Sequence, residues 1–442
     1  MDFSLTEEQL ELQALARRFA YTELWPAAQA LDKAAAPRDA FPEALVARAS
    51  ELGLRTLKLP AAYGGRGIDT VTEMVVLEEI AVGDCGFAMT LAHAWREGNL
   101  LARWGTPGQR ERYLADLASD PGYLTALAST EPHAGSDNGL PYDGDLGAGP
   151  RTSAVLDGDH WVINGRKRFI TNGNVARLIV LWARTDPARP WRQGISGFLV
   201  PGDAPGLRVG RTEDKFGLRL NQNVELVFED CRVPRGNLIG ELHKGYELSE
   251  QAMAGSKSKE AVRALGVARC AYELAMQWAR ERVQGGSVLI GHESVAARMA
   301  QVLQEIELAR SLIWRAAWAV DHEPDRARPL EDMAMLYASE MGMRAVAQCL
   351  RIFGARGSLR DWPMEKLVRD ASTIMLPPIG NEASWVRLGS YLAAHGDTAP
   401  LHGARDLGLR LPFAFPEAPA GAGRGPRGAG AAHPVPADAA GG

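Results

Sequence analysis

The sequence predicts an α+β multidomain fold: a helical N-terminal domain, a central antiparallel β domain and a C-terminal helical bundle. Three observations carry that prediction. Apolar residues recur at helical spacing through residues 1–125. Short runs rich in Val, Ile, Leu, Phe and Trp, cut by Gly, Asp, Asn and Pro, fill 126–236. The helical period then returns over 237–395. Residues 396–442 end in a stretch dominated by Ala, Gly and Pro that can bury little, so this tail is expected to be disordered.

The first helix is announced by Thr6-Glu7-Glu8-Gln9, where a Thr hydroxyl and a Gln three residues on can each satisfy an orphan backbone N–H. Leu10, Leu12, Leu15, Ala16 and Phe19 follow at near-helical spacing. A second helix runs through Met74, Val75, Val76, Leu77 and Ile80, and a third from Met89 to Trp104, closed by Gly105 and Pro107. The β domain is read from "HWVING", "RLIVLWA", "GISGFLV" and "NVELVFED". Beyond Pro234, apolar positions such as Met299, Val302, Ile306, Ile313 and Ala317 alternate with Arg, Gln and Glu, as in long amphipathic helices. Gly354-Ala355-Arg356-Gly357 follows a helical stretch rather than a strand, which excludes a dinucleotide-binding turn there.

Bulk properties exclude several functions. A net charge of -5 gives no global attraction for nucleic acid or anionic lipid. No apolar run is long enough for a membrane span, and Met1-Asp2 leads into Glu7-Glu8 rather than a basic leader. Cys85, Cys231, Cys270 and Cys349 form no CxxC pair. That disfavours a metal site and suits buried thiols in a reducing cytoplasm.

The chemistry concentrates in "STEPHAGSD" (Ser129 to Asp137) and "WVINGRKRFITNG" (Trp161 to Gly173). Thr130 and Ser136 offer hydroxyls, Gly135 lets backbone approach a planar ligand, Phe169 can pack on a ring and Thr171 can bond its edge. An ordinary solvated loop beside a core aromatic is the alternative. These stretches, with "KFGLRLNQNVELVFEDCRVP" (Lys215 to Pro234), "ARERVQGG" (Ala279 to Gly286) and "FPEALVARASELGLRTLKLPAAYGGRG" (Phe41 to Gly67), resemble the acyl-CoA dehydrogenase family over residues 3–395.

The resemblance implies three domains ending in a four-helix bundle, FAD at subunit boundaries and a homodimer or homotetramer. It also implies an acyl-CoA or acyl-carrier-protein thioester as substrate and a flavoprotein as electron acceptor. It maps the flavin stretch onto Leu127 to Ser136, including Ser129, Thr130 and Gly135, with Ser136 touching pyrophosphate or substrate. Phe169, Ile170 and Thr171 match the triplet beside the flavin ring. Arg282, helped by Gln284, matches the arginine that meets the FAD pyrophosphate of a neighbouring subunit, a role suited to a planar fork of donors. A solvated arginine at a helix end is the alternative reading of Arg282. Gly354 keeps one small position of the family's Gln-x-x-Gly-Gly, but Arg351 stands for the Gln, and Gly285 stands where the family has Phe.

The larger departure is at the base. Desaturation removes an acidic Cα proton as hydride leaves Cβ, and a carboxylate must lie within hydrogen-bond reach. Downstream of Arg369-Asp370-Ala371, matching puts Pro378 at the family's Glu, or Ile379 if Asn381-Glu382 is aligned instead. Neither accepts a proton. Some relatives carry the Glu on the first long C-terminal helix, where this chain has Ser256. Glu260, one turn on, is the nearest carboxylate sharing that face, against the alternative of a surface glutamate paired with Lys257. Glu382 is a second candidate. Ser256, Lys257 and Arg96 are candidate substrate contacts. Arg96, in the stretch His93, Trp95, Arg96, Glu97, aligns with an apolar pocket position, which hints at a polar or anionic acyl group unless it snorkels to solvent. Three functions follow from these residues: oxidation of an acyl thioester with a relocated base, base-free flavin chemistry (elimination or oxygenation), or a non-catalytic subunit that completes a partner's FAD site.

Overall fold

The structure, a computed structural model, describes residues 3–141, 148–376 and 380–395. The expected tail at 396–442 lies outside these residues, as do Pro378 and Ile379. The first helix, α1 (Glu7–Phe19), opens with the reciprocal cap foreseen at Thr6 and Gln9. It packs on α2 (Thr70–Gly83), which is buried all round and followed by α3 (Cys85–Trp104). Pro107 does more than close α3. With Thr106 and Gln109 as a second capping box, it is the first residue of α4 (Pro107–Ser119), where its missing N–H costs nothing.

Eight strands form one sheet: β1 (Leu124–Ala128), β2 (Ser153–Asp157), β3 (His160–Thr171), β4 (Ala176–Arg184), β5 (Ile195–Pro201), β6 (Leu207–Thr212), β7 (Asn223–Pro234) and β8 (Leu238–Ile239). Their order is β6-β7-β3-β2-β4-β5-β8, with β1 added on β4. The ladders are antiparallel except that β4 runs parallel to β1 and to the end of β2. The chain reaches β1 from α4 and returns to β4 only after two intervening strands, a long connection that a parallel pair requires. Trp161, Ile163, Phe198 and Phe228 build the sheet's own core.

The C-terminal part contains α5 (Ser256–Glu281), the short hairpin β9 (Val283–Gln284) and β10 (Ser287–Val288), α6 (Glu293–His322), α7 (Pro324–Phe353), α8 (Met364–Ile374) and α9 (Gly380–His395). The helices α5, α6 and α7 pack mutually. α8 joins α5 and α7 as a fourth member, and α9 lies against α7. The two helical regions share one apolar core, in which Phe19, Leu77 and Leu91 meet Leu265, Ile313 and Val346. Close approach of α2 and α5 depends on Gly266, where a Cβ would come 2.5 Å from that of Ala81. The ends of the chain thus form one body, and the sheet leans on it through Tyr113, Trp182 and Leu199.

Candidate active site

At the end of β3 the two-residue alternation breaks. Lys167 is fully buried; its ammonium donates to the Ser129 carbonyl at 2.9 Å and to the Glu131 carboxylate at 2.8 Å. The Arg168 backbone N–H donates to the Thr130 carbonyl at 2.9 Å. The segment carrying Leu127, Ser129 and Thr130, all half-buried, is thereby fastened to β3. Opposite β7 the register slips between Lys167 and Ile170, and Phe169 takes φ 58°, a left-handed conformation rare for a bulky residue. The kink turns the Phe169 ring out, 52% exposed, under the Arg168 guanidinium at 4.9 Å, while Ile170 points into the core. Backbone strain of this kind persists only where surrounding bonds over-determine it.

Those bonds are present. Asn223 Nδ2 donates to the Phe169 carbonyl and to the Thr171 hydroxyl, each at 3.0 Å. The next residue, Asn172, is buried and donates to the carbonyls of Thr90 on α3 and Thr125 on β1. Ser136 is exposed and opens a short 3-10 turn, Ser136–Gly139, against which α9 packs. A Cβ at Gly135 would meet nothing closer than Thr130 at 3.7 Å, so this glycine leaves an open approach and is not required by crowding inside the chain.

A narrow cleft of about 10 Å³ lies between α3 and α5. Met89, Ala92 and Arg96 line one wall from a single face of α3, and Ser256, Lys259 and Glu260 from the first turns of α5 line the other, with Met253 between. Arg96 does not snorkel away. Its Nε donates to Glu97 at 2.8 Å and its Nη2 to His93 Nδ1 at 2.8 Å. Burial alone would raise the Glu97 carboxyl, but Arg96 and His93 beside it bring it down to about 2. Burial, reinforced by Arg96, pushes the His93 imidazole down. Trp95 is structural, its indole N–H donating to the Leu54 carbonyl.

Glu260 shares the cleft with Ser256, and the alternative of a surface pair with Lys257 does not hold. The carboxylate is buried and ion-paired with Arg263, whose Nε also donates to the Cys85 carbonyl. Lys257 turns away, into an ion pair with Asp332 and a 3.1 Å bond to Ser384. Helical spacing alone does not decide this, since 257 and 260 are three residues apart; the pull of Asp332 and Ser384 takes the Lys257 side chain away. Lys259, paired with Glu73 at 3.0 Å, is the lysine at the cleft. Glu382 is exposed at the start of α9 and is not among the cleft-lining residues.

Arg282 ends α5 with its guanidinium 5.9 Å from the Trp278 ring, and Arg356 lies 5.7 Å from the same indole. Gln284 is exposed in β9, and its carbonyl meets His292 Nε2 at 2.9 Å. Gly285 and Gly286 both have positive φ, as a tight two-residue hairpin demands, so the glycine at 285 is set by the turn. Gly354 terminates α7 at φ 60°, ψ -142°, with open space where its Cβ would be, and Arg351 beside it is exposed.

The sequence models of the acyl-CoA dehydrogenase N-terminal, middle and C-terminal domains match residues 6–121, 126–231 and 243–378. The chain belongs to the acyl-CoA dehydrogenase family. It is 34% identical over 376 residues to a probable acyl-CoA dehydrogenase (YngJ) of Bacillus subtilis, covering 84% of this chain and 94% of that protein. Its fold matches butyryl-CoA dehydrogenase from Megasphaera elsdenii with a TM-score of 0.82 and 31% identity, covering 89% of this chain and 100% of that one. It also matches a chain of a structure described as the electron transferring flavoprotein of Acidaminococcus fermentans, at a TM-score of 0.82 and 32% identity, covering 89% of this chain and 99% of that one. It is accordingly an FAD-dependent oxidoreductase of CH–CH bonds.

The kink fits such a group. An exposed aromatic face lies beside a Thr171 hydroxyl that accepts from Asn223 and has no acceptor for its own proton among the described residues, which suits a planar ligand with acceptor atoms along its edge. Sequence reasoning missed Met89, Ala92, Met253 and Lys259 at the cleft. The i, i+3, i+7 spacing of 89, 92 and 96 was a usable signal; nothing local pointed to Lys259 or Asn223. Among the described residues no helix is long and apolar enough to cross a membrane, and all four cysteines are buried free thiols.

Proposed function

We propose that the chain oxidises the Cα–Cβ bond of an acyl thioester in one continuous site, with the β3 kink holding the flavin and the α3–α5 cleft, about 10 Å³ as it stands, opening to receive the acyl group. The observation that carries this reading is the join between the two. Asn172, next to Thr171, bonds the Thr90 carbonyl, and Met89, next to Thr90, lines the cleft. When bound, FAD supplies the two-electron acceptor for the hydride that leaves Cβ.

The chain's own groups do the rest. Thr171 offers its proton to the ring edge, Phe169 and Ile170 flank it, and Leu127, Ser129, Thr130, Gly135 and Ser136 form the strip along it. Arg282, Gln284 and Gly354 serve the FAD of a neighbouring copy in a homodimer or homotetramer. Glu260 takes the Cα proton once its ion pair with Arg263 opens to the substrate. Arg96, with Ser256 at the cleft, selects a polar or anionic acyl group. The thioester is carried on CoA or on a carrier protein, and electrons pass to an electron-transferring flavoprotein. The buried free thiols support a cytoplasmic setting.

The test is direct. The purified protein is yellow and bleaches anaerobically when mixed with a suitable acyl-CoA; no bleaching across a broad panel of chain lengths and terminal groups overturns the reading. The lock between Glu260 and Arg263 favours one second reading, base-free elimination or oxygenation, and product analysis with and without oxygen separates the two.

A further inference from the structure

Beneath the β3 kink sits a half-buried lysine with no part in the proposed reaction. Lys215, between β6 and β7, donates to the Asn221 carbonyl and, at 2.6 Å, to Asn223 Oδ1. Lysine has donors only, so the amide of Asn223 must turn its oxygen to Lys215 and its NH2 the other way. That NH2 reaches the Phe169 carbonyl and the Thr171 hydroxyl. Thr171 therefore accepts on its inner side, and its own O–H is directed outward.

We propose that Lys215 and Asn223 are positioning residues that polarise the Thr171 hydroxyl, fixing it as a donor toward the flavin edge and holding Phe169 in its left-handed conformation. This rests on the reading that Thr171 meets the flavin. Burial, with Arg263 nearby, pushes the Lys215 ammonium down to about 7. While protonated the amine can only donate, and it does so to Asn221 and to Asn223. Replacing Asn223 by Asp inverts the device: the carboxylate pairs with Lys215, has nothing to donate, and draws the Thr171 proton inward.

The experiment is a double-mutant cycle on the full chain, reading FAD affinity by titration of the apoprotein and the visible absorption band of the loaded protein. Thr171→Val is expected to weaken FAD about tenfold and shift the band, and Asn223→Asp to do the same. In the double variant the two losses do not add. Lys215→Met, which frees the amide to flip, behaves as Asn223→Asp does, and Asn223→Ser replaces the aspartate variant should that one fold poorly. Additive losses, or an unshifted band in Asn223→Asp beside a shifted one in Thr171→Val, overturn the positioning role. No effect from Thr171→Val sinks the reading of Thr171 itself, a result distinct from the first two.

Discussion

The two halves of the site are organised in opposite ways. At the β3 kink, polar groups are arranged so that one donor remains unspent: Lys215 orients Asn223, Asn223 bonds Thr171, and the Thr171 proton has no acceptor among the described residues. At the cleft, every charge is already answered from within the chain. Arg96 is paired with Glu97, Lys259 with Glu73, and Glu260 with Arg263. One half leaves a donor for a ligand to complete; the other is closed on itself. A single hydroxyl proton at a partly open kink costs little to leave unspent, whereas unpaired charges in a buried cleft cost several kcal/mol each, so they are held in pairs.

Breaking the cleft's pairs is expected to have the largest effects. Glu260→Gln should lower the rate of anaerobic flavin bleaching about 100-fold or more while FAD content is unchanged; a rate within a few-fold of the parent would remove Glu260 as the base. Arg263→Met strands a buried carboxylate and should cost about 3 kcal/mol in urea unfolding. Little change in the unfolding midpoint would mean that the pair is not closed in solution. Arg96→Met should move kcat/KM about tenfold in favour of plain aliphatic thioesters over ones with an anionic terminus. An unchanged ratio would detach Arg96 from specificity.

The smallest expected effect tests the kink by pH. Lys215, facing Arg263, Asp370, Cys85 and Asp84, has its folded pKa lowered from 10.5 to about 7, so between those values the unfolded chain binds more protons than the folded one. Stability should rise with pH through that window, by about 1 kcal/mol per pH unit at most, and the cost of burying the ammonium is fully present below it. Measured as the difference between parent and Lys215→Met, stability should therefore shift in the parent's favour from pH 7 to pH 9. A difference that does not change with pH would mean that Lys215 is charged throughout.

Much of the kink was legible in the sequence, because its residues are contiguous: Phe169, Ile170 and Thr171 are neighbours, and the strand that carries them announces itself by composition. The left-handed φ at Phe169 was not legible, since nothing in "KRFITNG" favours it; the Asn223 amide, more than fifty residues on, holds it. The cleft was half legible. Ser256 and Glu260 share a face by helical arithmetic, but only the distant partners Asp332 and Ser384 take Lys257 away from it. That Glu260 answers to Arg263 rather than to a lysine depended on which rotamers the wall of α2 and α3 leaves open.

The sequence by itself determined the three-part order of elements, the cap at Thr6, the family, and the want of a glutamate at the usual positions, all of which are encoded in local pattern or in contiguous motifs. Tertiary structure alone decided that the two helical regions share one core, that Asn172 beside the kink bonds Thr90 on α3, and which carboxylate lines the cleft. Such facts depend on pairing residues far apart in the chain, and the energy of a buried charge is set by the neighbours that folding brings to it, which no local pattern specifies.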